Sequence, residues 1–177
     1  MKKITLKDGT IVILRPLRKK EDARKFLRYI NALVAEKAST LVDRPLSLKE
    51  EKAWLKETYA KISHGDEVMI VAEHGGEIAA LFAARKGRLR ERGNISLALS
   101  VAKKFREKGL GEILLRKIIT EAKKKLNPDK TYLMVLEGNL PAQRLYKKAG
   151  FVKRGVIPDW LKWRGRMRDN IYMVLEK

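Results

Sequence analysis

The chain has 177 residues, 45% of them hydrophobic, which suits one globular domain, 1–177, with a real core and argues against general disorder. It contains no cysteine and two histidines, which excludes disulfides, thiolate metal sites and a cysteine nucleophile and leaves no metal expected. Lys and Arg number 41 against 21 Asp and Glu, and the formal net charge of +20 favours a polyanionic partner: nucleic acid, a ribosome, an acidic protein or a phosphorylated ligand.

The same charge has a second reading. Charged residues make up 35% of the chain and glutamine occurs once, at Gln143, a profile that fits a heat-adapted (thermophile) protein with a solvated surface. No run reaches the roughly 18 apolar residues of a membrane span. Met1-Lys2-Lys3-Ile4-Thr5 alternates at once and lacks the apolar core of a signal peptide. A cytoplasmic protein without a membrane partner, monomer or homodimer, is expected.

In chain order, Asp8-Gly9 separates two short alternating runs and reads as a hairpin turn. Helical spacing runs from Lys20 to Glu36, with Ala23, Phe26, Leu27, Ile30, Leu33 and Val34 on one face. Ser47-Leu48-Lys49-Glu50 is a capping box, so a second helix starts at Leu48 and carries Trp54, Leu55 and Ile62. Val68 to Glu73 and Glu77 to Arg85 are strand-like, joined through His74-Gly75-Gly76. A basic loop, Arg85 to Gly93, leads into a strand from Asn94 to Val101. A stripe at Leu114, Leu115, Ile118, Ile119, Ala122 and Leu126 marks a helix from Leu110 to Leu126, stopped by Asn127-Pro128. Thr131 to Leu136 is a buried-type strand. Leu140 to Ala149 is a helix with Asn139 as N-cap, Pro141 in its first turn and Gly150 after its end. Phe151 to Ile157 and Asp169 to Leu175 close the chain as strands. The crossover from Asn94 to Leu136 demands one parallel pair, and the meander before it antiparallel ones. The expected fold is therefore α/β (α+β): a mixed, mostly antiparallel twisted sheet of about six to seven strands with helices on both faces.

Arg106-Glu107-Lys108-Gly109-Leu110-Gly111 lies between a strand and a helix. Such a turn can aim backbone N–H groups at a phosphate where orphan amides and the helix dipole favour an anion. Alone the string is weak. One crossover later comes a second element, Asn139-Leu140-Pro141-Ala142-Gln143-Arg144-Leu145-Tyr146-Lys147-Lys148-Ala149-Gly150-Phe151.

With both in place the chain resembles the GNAT acetyltransferase superfamily. Val101 with Arg106-x-x-Gly109-x-Gly111 is similar to its acetyl-CoA pyrophosphate motif, and Asn139-x-x-Ala142-x-x-Leu145-Tyr146-x-x-x-Gly150-Phe151 to its companion. Leu14-Arg15-Pro16-Leu17 and Asp169-x-x-x-Met173 fit as well, so the resemblance spans nearly the whole chain. It implies an acetyl-CoA-dependent N-acetyltransferase. In such a protein Leu99, Ser100 and Val101 pair with the pantetheine arm like an added strand, and the Val101 N–H polarises the thioester carbonyl. Amides of Arg106, Glu107, Lys108, Gly109, Leu110, Gly111 and Glu112 surround the pyrophosphate. Asn139 and Ala142 contact the cofactor, and Tyr146 donates a proton to the departing thiolate or, since a thiolate is already a fair leaving group, mainly orients it.

Glu107 stands where many relatives have glycine, and Glu112 where a small hydroxyl residue is common. Both put negative charge beside the phosphates, which Lys103, Lys104, Arg106 and Lys108 are placed to offset. A lysine-type acceptor at pKa about 10.4 must lose a proton before attack, equivalent to about 4.6 kcal/mol at pH 7. The strand Asn94 to Val101 holds no carboxylate for that task, which leaves Glu137 as first candidate base, Glu73 as second, and a water relay as a third route. The loop Arg85 to Arg92 and the segment Trp160 to Arg168 interleave arginines with apolar and aromatic residues, which suits RNA or an acidic acceptor surface, or tryptophans packed on the sheet under a solvated rim. The reading is transfer of an acetyl group to a primary amine of a protein N-terminus or lysine, ribosomal proteins among the candidates, or of a small molecule, by direct attack in a ternary complex. The alternative is a basic RNA- or ribosome-binding protein that keeps the fold with little catalysis.

Overall fold

A computed structural model describes residues 1–18 and 21–176. Among the described residues eight strands form a single sheet in the order β1-β2-β3-β4-β5-β6-β8-β7. They are β1 (Lys2–Thr5), β2 (Ile11–Pro16), β3 (Glu67–His74), β4 (Glu77–Lys86), β5 (Asn94–Val101), β6 (Lys130–Leu136), β7 (Phe151–Trp163) and β8 (Arg166–Leu175). Four helices join them: α1 (Ala23–Ala35), α2 (Leu48–Ser63), α3 (Leu110–Leu126) and α4 (Leu140–Lys148). Every pairing is antiparallel except β5 with β6. The mixed, mostly antiparallel sheet agrees with the sequence reading. Its count comes to eight because both strands of the opening hairpin pair into it.

Two apolar clusters hold helices to opposite faces. α3 seats Leu110, Leu114, Leu115, Ile118, Ala122 and Leu126 against Ile70, Phe82, Ile95 and Leu97. On the other face α1 seats Phe26, Tyr29 and Leu33 against Met69, Val71 and Ala83, with Trp54 and Leu55 of α2 packed alongside. Local signals fix the ends. The Ser47–Glu50 capping box is formed in both directions. Asp22 caps α1, so that helix begins at Ala23; the expected start at Lys20 lies outside the described residues.

Two segments depart from expectation. β7 continues past Ile157 to Trp163 and β8 begins at Arg166, so the expected tail is the far end of one long hairpin. Pro158 and the register shift between Ile157 and Leu161 interrupt the period-2 pattern, which hid this strand from a local reading. The basic loop before β5 contains a 3-10 turn at Leu89–Glu91, with Leu89 at φ 52.

Candidate active site: a splayed strand pair beside a helix start

β5 keeps its antiparallel partner to its end, with Ala80 opposite Val101. Its parallel partner leaves early: β5 and β6 pair only at Asn94 with Lys130, Ile95 with Thr131 and Ser96 with Tyr132. From Leu97 onward β5 has lost its neighbour on that side. The direction of its polar groups follows from one bond. Ala102 N–H donates to Ala79 O at 2.9 Å, so even-numbered residues face β4. Leu97, Leu99 and Val101 therefore turn N–H and C=O toward β6, into the gap. The Val101 carbonyl accepts from Arg106 Nε at 2.9 Å. Past Ser96 the N–H groups of Leu99 and Val101 have no paired strand on that side among the described residues. A half-paired strand of this kind is an edge that an extended ligand can extend.

The turn after β5 opens α3 at the same end of the sheet. Gly109 is the N-cap at φ 86 and supplies no side-chain cap, so the first-turn amides of α3 are left for another acceptor. Gly111 lies close under α4: a Cβ there would meet Leu145 Cδ2 at 3.3 Å. Glu107 also sits in the left-handed region, at φ 61, which gives a physical reason for glycine at that place in the superfamily. Lys108 is fastened to the β1–β2 hairpin by its Nζ to Asp8 at 2.8 Å, and its carbonyl accepts from Lys7 N–H. That ammonium is the first cause holding the Asp8 carboxyl down at about 2.

The charges around the turn are mostly spent on each other. Lys104 pairs with Glu77, Arg106 with Glu36 and Lys108 with Asp8, which leaves Lys103 without an ion pair among the described residues. Glu112 is neutralised in turn by Lys148 at 2.8 Å and Arg116 at 3.2 Å. Lys148 is the main cause holding its carboxyl below the usual range. Glu112 thereby ties α3 to α4.

α4 begins as expected. The Asn139 side chain accepts from Ala142 N–H at 3.3 Å, so its carbonyl oxygen serves as the cap and its amide nitrogen is left for another contact. Tyr146 is buried on this helix with its ring edge-on to Phe151, centroids 6.0 Å apart. Burial pushes its hydroxyl up to about 12. That hydroxyl makes no hydrogen bond among the described residues, yet it is not sealed from solvent.

At the mouth, Glu137 follows β6 and is exposed; its N–H donates to Asp169 O and its carbonyl accepts from Gln143 Nε2. Glu73 is placed differently. Arg15 Nε lies 2.7 Å from its carboxylate and Lys25 3.7 Å away, and the Arg15 bond above all holds it below its ordinary range. A carboxylate so held is a poor proton acceptor. Local patterns missed three groups here. Glu36, the C-cap of α1, is mostly buried and pairs with Arg106. Tyr29 donates to Ser100 Oγ at 2.8 Å, with its own hydroxyl raised by burial. Trp163, from the hairpin tip, donates Nε1–H to Lys37 O at 3.1 Å and joins the β7–β8 hairpin to α1 across the mouth. Their partners lie 70, 71 and 126 residues away, beyond any local pattern.

A family model described as the acetyltransferase (GNAT) family matches residues 35–151. The chain belongs to that family. The match runs from the C-terminal end of α1 to Phe151 and so includes β5, the turn, α3 and α4. No curated protein sequence matches the chain. Solved structures share the fold at low identity. One is yncA from Salmonella typhimurium with its cofactor acetyl-CoA, 22% identical over 93% of each chain with a TM-score of 0.78. Another is a ribosomal-protein-alanine N-acetyltransferase from Brucella melitensis, 22% identical over 92% of this chain and 98% of that one, TM-score 0.78. A third is a spermidine N-acetyltransferase from Vibrio cholerae in complex with CoA and spermine, 21% identical over 93% and 94%, TM-score 0.77. Among the described residues no helix is long and apolar enough to cross a membrane.

Proposed function

We propose that this protein is an N-acetyltransferase that takes its acetyl group from acetyl-CoA and delivers it to a primary amine. The observation that carries this is the split of β5 from β6 next to an uncapped α3 start. The split leaves Leu99 and Val101 N–H groups facing a gap, and the helix start adds free amides and a positive dipole end a short way along the same path. An amide-bearing arm ending in a diphosphate fits that pair of features, and the residues present suit acetyl-CoA. When bound, acetyl-CoA supplies an acetyl thioester.

The rest is work for the chain. Val101 N–H is a fixed donor for the carbonyl oxygen on which negative charge develops, a kind of contact worth on the order of 3 kcal/mol. Arg106 holds the Val101 carbonyl on the gap side of β5 and anchors itself on Glu36, so the strand end is braced against α1. Amides of residues 107–112 would receive the diphosphate, the Arg106 N–H being spent on Lys103 O, with Asn139 and Ala142 at the neighbouring helix start. Tyr146 would offer a protonated hydroxyl to the thiolate that acetyl-CoA releases. Its pKa of about 12 against roughly 8.5 for a thiol makes full proton transfer uphill, so it serves by hydrogen bonding to the developing thiolate. Glu137, exposed and free of a cationic partner among the described residues, is the carboxylate left to take the amine's proton, directly or through water.

The acceptor is a protein N-terminus, a lysine or a small polyamine; the structural relatives named above include one enzyme for a ribosomal protein alanine and one for spermidine. An N-terminal amine with pKa near 8 enters neutral far more often than a lysine. Thiol release from acetyl-CoA, followed across N-terminal peptides, lysine peptides and polyamines, tests this reading. At least one amine must raise release well above the amine-free rate. Failure of every amine, together with no heat of acetyl-CoA binding at micromolar protein, overturns it.

A further inference from the structure

α1 and α2 pack over β3 and β4, and their face of the sheet continues past them onto β6, β8 and β7. Residues there are set by strand alternation. Leu133, Val135, Ile171 and Met173 point into the α3-side core, so Tyr132, Met134, Tyr172 and Val174 point to the opposite face. Met134 is 37% exposed, and Val152, across from Val174, is 38% exposed. On this open sheet Tyr132 and Tyr172 stand side by side, ring centroids 5.1 Å apart at 35°. They lie near the paired end of β5 and β6: Tyr132 is opposite Ser96, five residues or about 16 Å of strand from Val101.

Cations bracket the tyrosines. At one end is the loop with Arg88, Arg90 and Arg92, all exposed; its Glu91 is close enough to help raise the Tyr172 hydroxyl, after burial and Tyr132. At the other end the β7–β8 hairpin carries Arg166 and Arg168 on the Tyr172 face by alternation, Arg164 in its turn, and Lys162, opposite Met167, on the other face. None of these seven has an ion pair among the described residues, whereas the cations near the α3 turn are nearly all paired. Arg168 Nε is sealed from solvent without any acceptor. Six of the seven are arginine, the cation that grips phosphate in a bidentate way and stacks on bases. Leu89, at φ 52 and 79% exposed, projects between Arg88 and Arg90.

We infer that this open face of β6, β8 and β7 binds single-stranded RNA, with bases stacked on Tyr132 and Tyr172 and phosphates held by the arginine loop and the hairpin. Charge selects a polyanion over a second copy of this chain, which would bring another +20 to the face. Flat aromatics select unpaired bases over a duplex, whose bases are stacked on each other, and RNA is the nucleic acid that ordinarily presents them. Tyr132 lies at the paired end of β5 and β6, away from Val101, and only the hairpin tip reaches the acetyl-transfer mouth, so this inference does not rest on the proposed activity.

The test is fluorescence anisotropy with a labelled oligouridine, beside oligothymidine and duplex RNA. Oligouridine is expected to bind best and to weaken steeply with salt. A Tyr132→Ala/Tyr172→Ala variant is expected to lose about tenfold or more in affinity, with Tyr132→Phe/Tyr172→Phe retaining it. Changing Arg88, Arg90 and Arg92 to glutamine should flatten the log–log salt slope by about 2, at roughly 0.7 per phosphate contact. Thiol release should be unchanged in all of these variants. Affinity insensitive to both the alanine pair and the arginine changes overturns the inference. So does equal or tighter binding of duplex RNA or oligothymidine, or a tyrosine-dependent dimer of the protein in sedimentation.

Discussion

Replacing Tyr146 with phenylalanine removes one oxygen from a buried ring and leaves its packing on Phe151 in place. The hydroxyl has no protein partner among the described residues, so the folded state loses no hydrogen bond, and the melting temperature should stay within about 2 °C. Catalysis should suffer more. Burial sets the hydroxyl at about 12, some 3.5 units above a thiol, so handing over the proton entirely would be uphill by roughly 4.8 kcal/mol. What the hydroxyl provides is a hydrogen bond to a developing anion, about 1.5–3 kcal/mol, or roughly 10- to 150-fold in kcat. KM for acetyl-CoA should change little, because the bond strengthens only as charge appears. With a pKa of about 12 the hydroxyl stays protonated through any practical assay, so wild type and variant should share one pH profile, displaced vertically. Thiol-release kinetics across pH, beside thermal melts, measure all three quantities. A kcat within twofold of wild type, or a basic limb that vanishes in the variant, refutes the role assigned to Tyr146.

Other substitutions probe the remaining parts. Arg106→Gln should lower kcat through loss of the bond to Val101 O, and Arg106→Lys should not rescue it, because one ammonium cannot hold that carbonyl and Glu36 in the same planar fork. Substantial rescue by lysine with a raised KM would mark Arg106 as a phosphate ligand. Glu107→Gly relieves a left-handed non-glycine residue and removes a negative charge beside the cradle, so calorimetry should find acetyl-CoA bound a few-fold tighter; weaker binding contradicts this. Glu51 on α2 is 3% exposed, and burial alone raises its carboxyl to about 7. Its folded pKa exceeds the unfolded value, so its contribution to stability is present below about 4.5 and is lost as pH rises through about 7. Glu51→Gln should therefore stabilise the protein at pH 8, by at most about 3 kcal/mol, and change little near pH 4. Equal effects at both pH values in chemical denaturation dismiss the assignment.

Much of this architecture is written locally. The Ser47–Glu50 box, the Asn139 cap, the stripe of α3 and the limits of β5 follow from spacing and cap chemistry within a few residues, and so they were legible before any fold was known. The glycine-containing turn was legible for the same reason. Its inward side was not. Arg106 reads as a surface cation in a basic run, yet it turns back onto Val101 and across to Glu36 because the end of α1 and the end of β5 meet only after the sheet has formed. The unpaired edge of β5 is likewise a difference between two registers, seven pairs with β4 and three with β6, and no single segment carries it. Glu73 is held below its ordinary range by Arg15, 58 residues away, which no local pattern shows. Trp163 was hidden by Pro158 and a register shift that broke the alternation of β7. Local chemistry thus marks the strand, turn and helix proposed for the donor, while the groups that brace them depend on contacts that sequence spacing does not encode.

The claim on which the rest depends is that the open edge of β5 and the start of α3 together receive acetyl-CoA. Hydrogen exchange with and without acetyl-CoA reads those amides directly. Exchange at Leu99, Val101 and residues 107–112 should slow on addition of acetyl-CoA, with smaller changes at the start of α4. Unchanged exchange at those amides under saturating acetyl-CoA, or protection confined to another part of the sheet, would contradict the account.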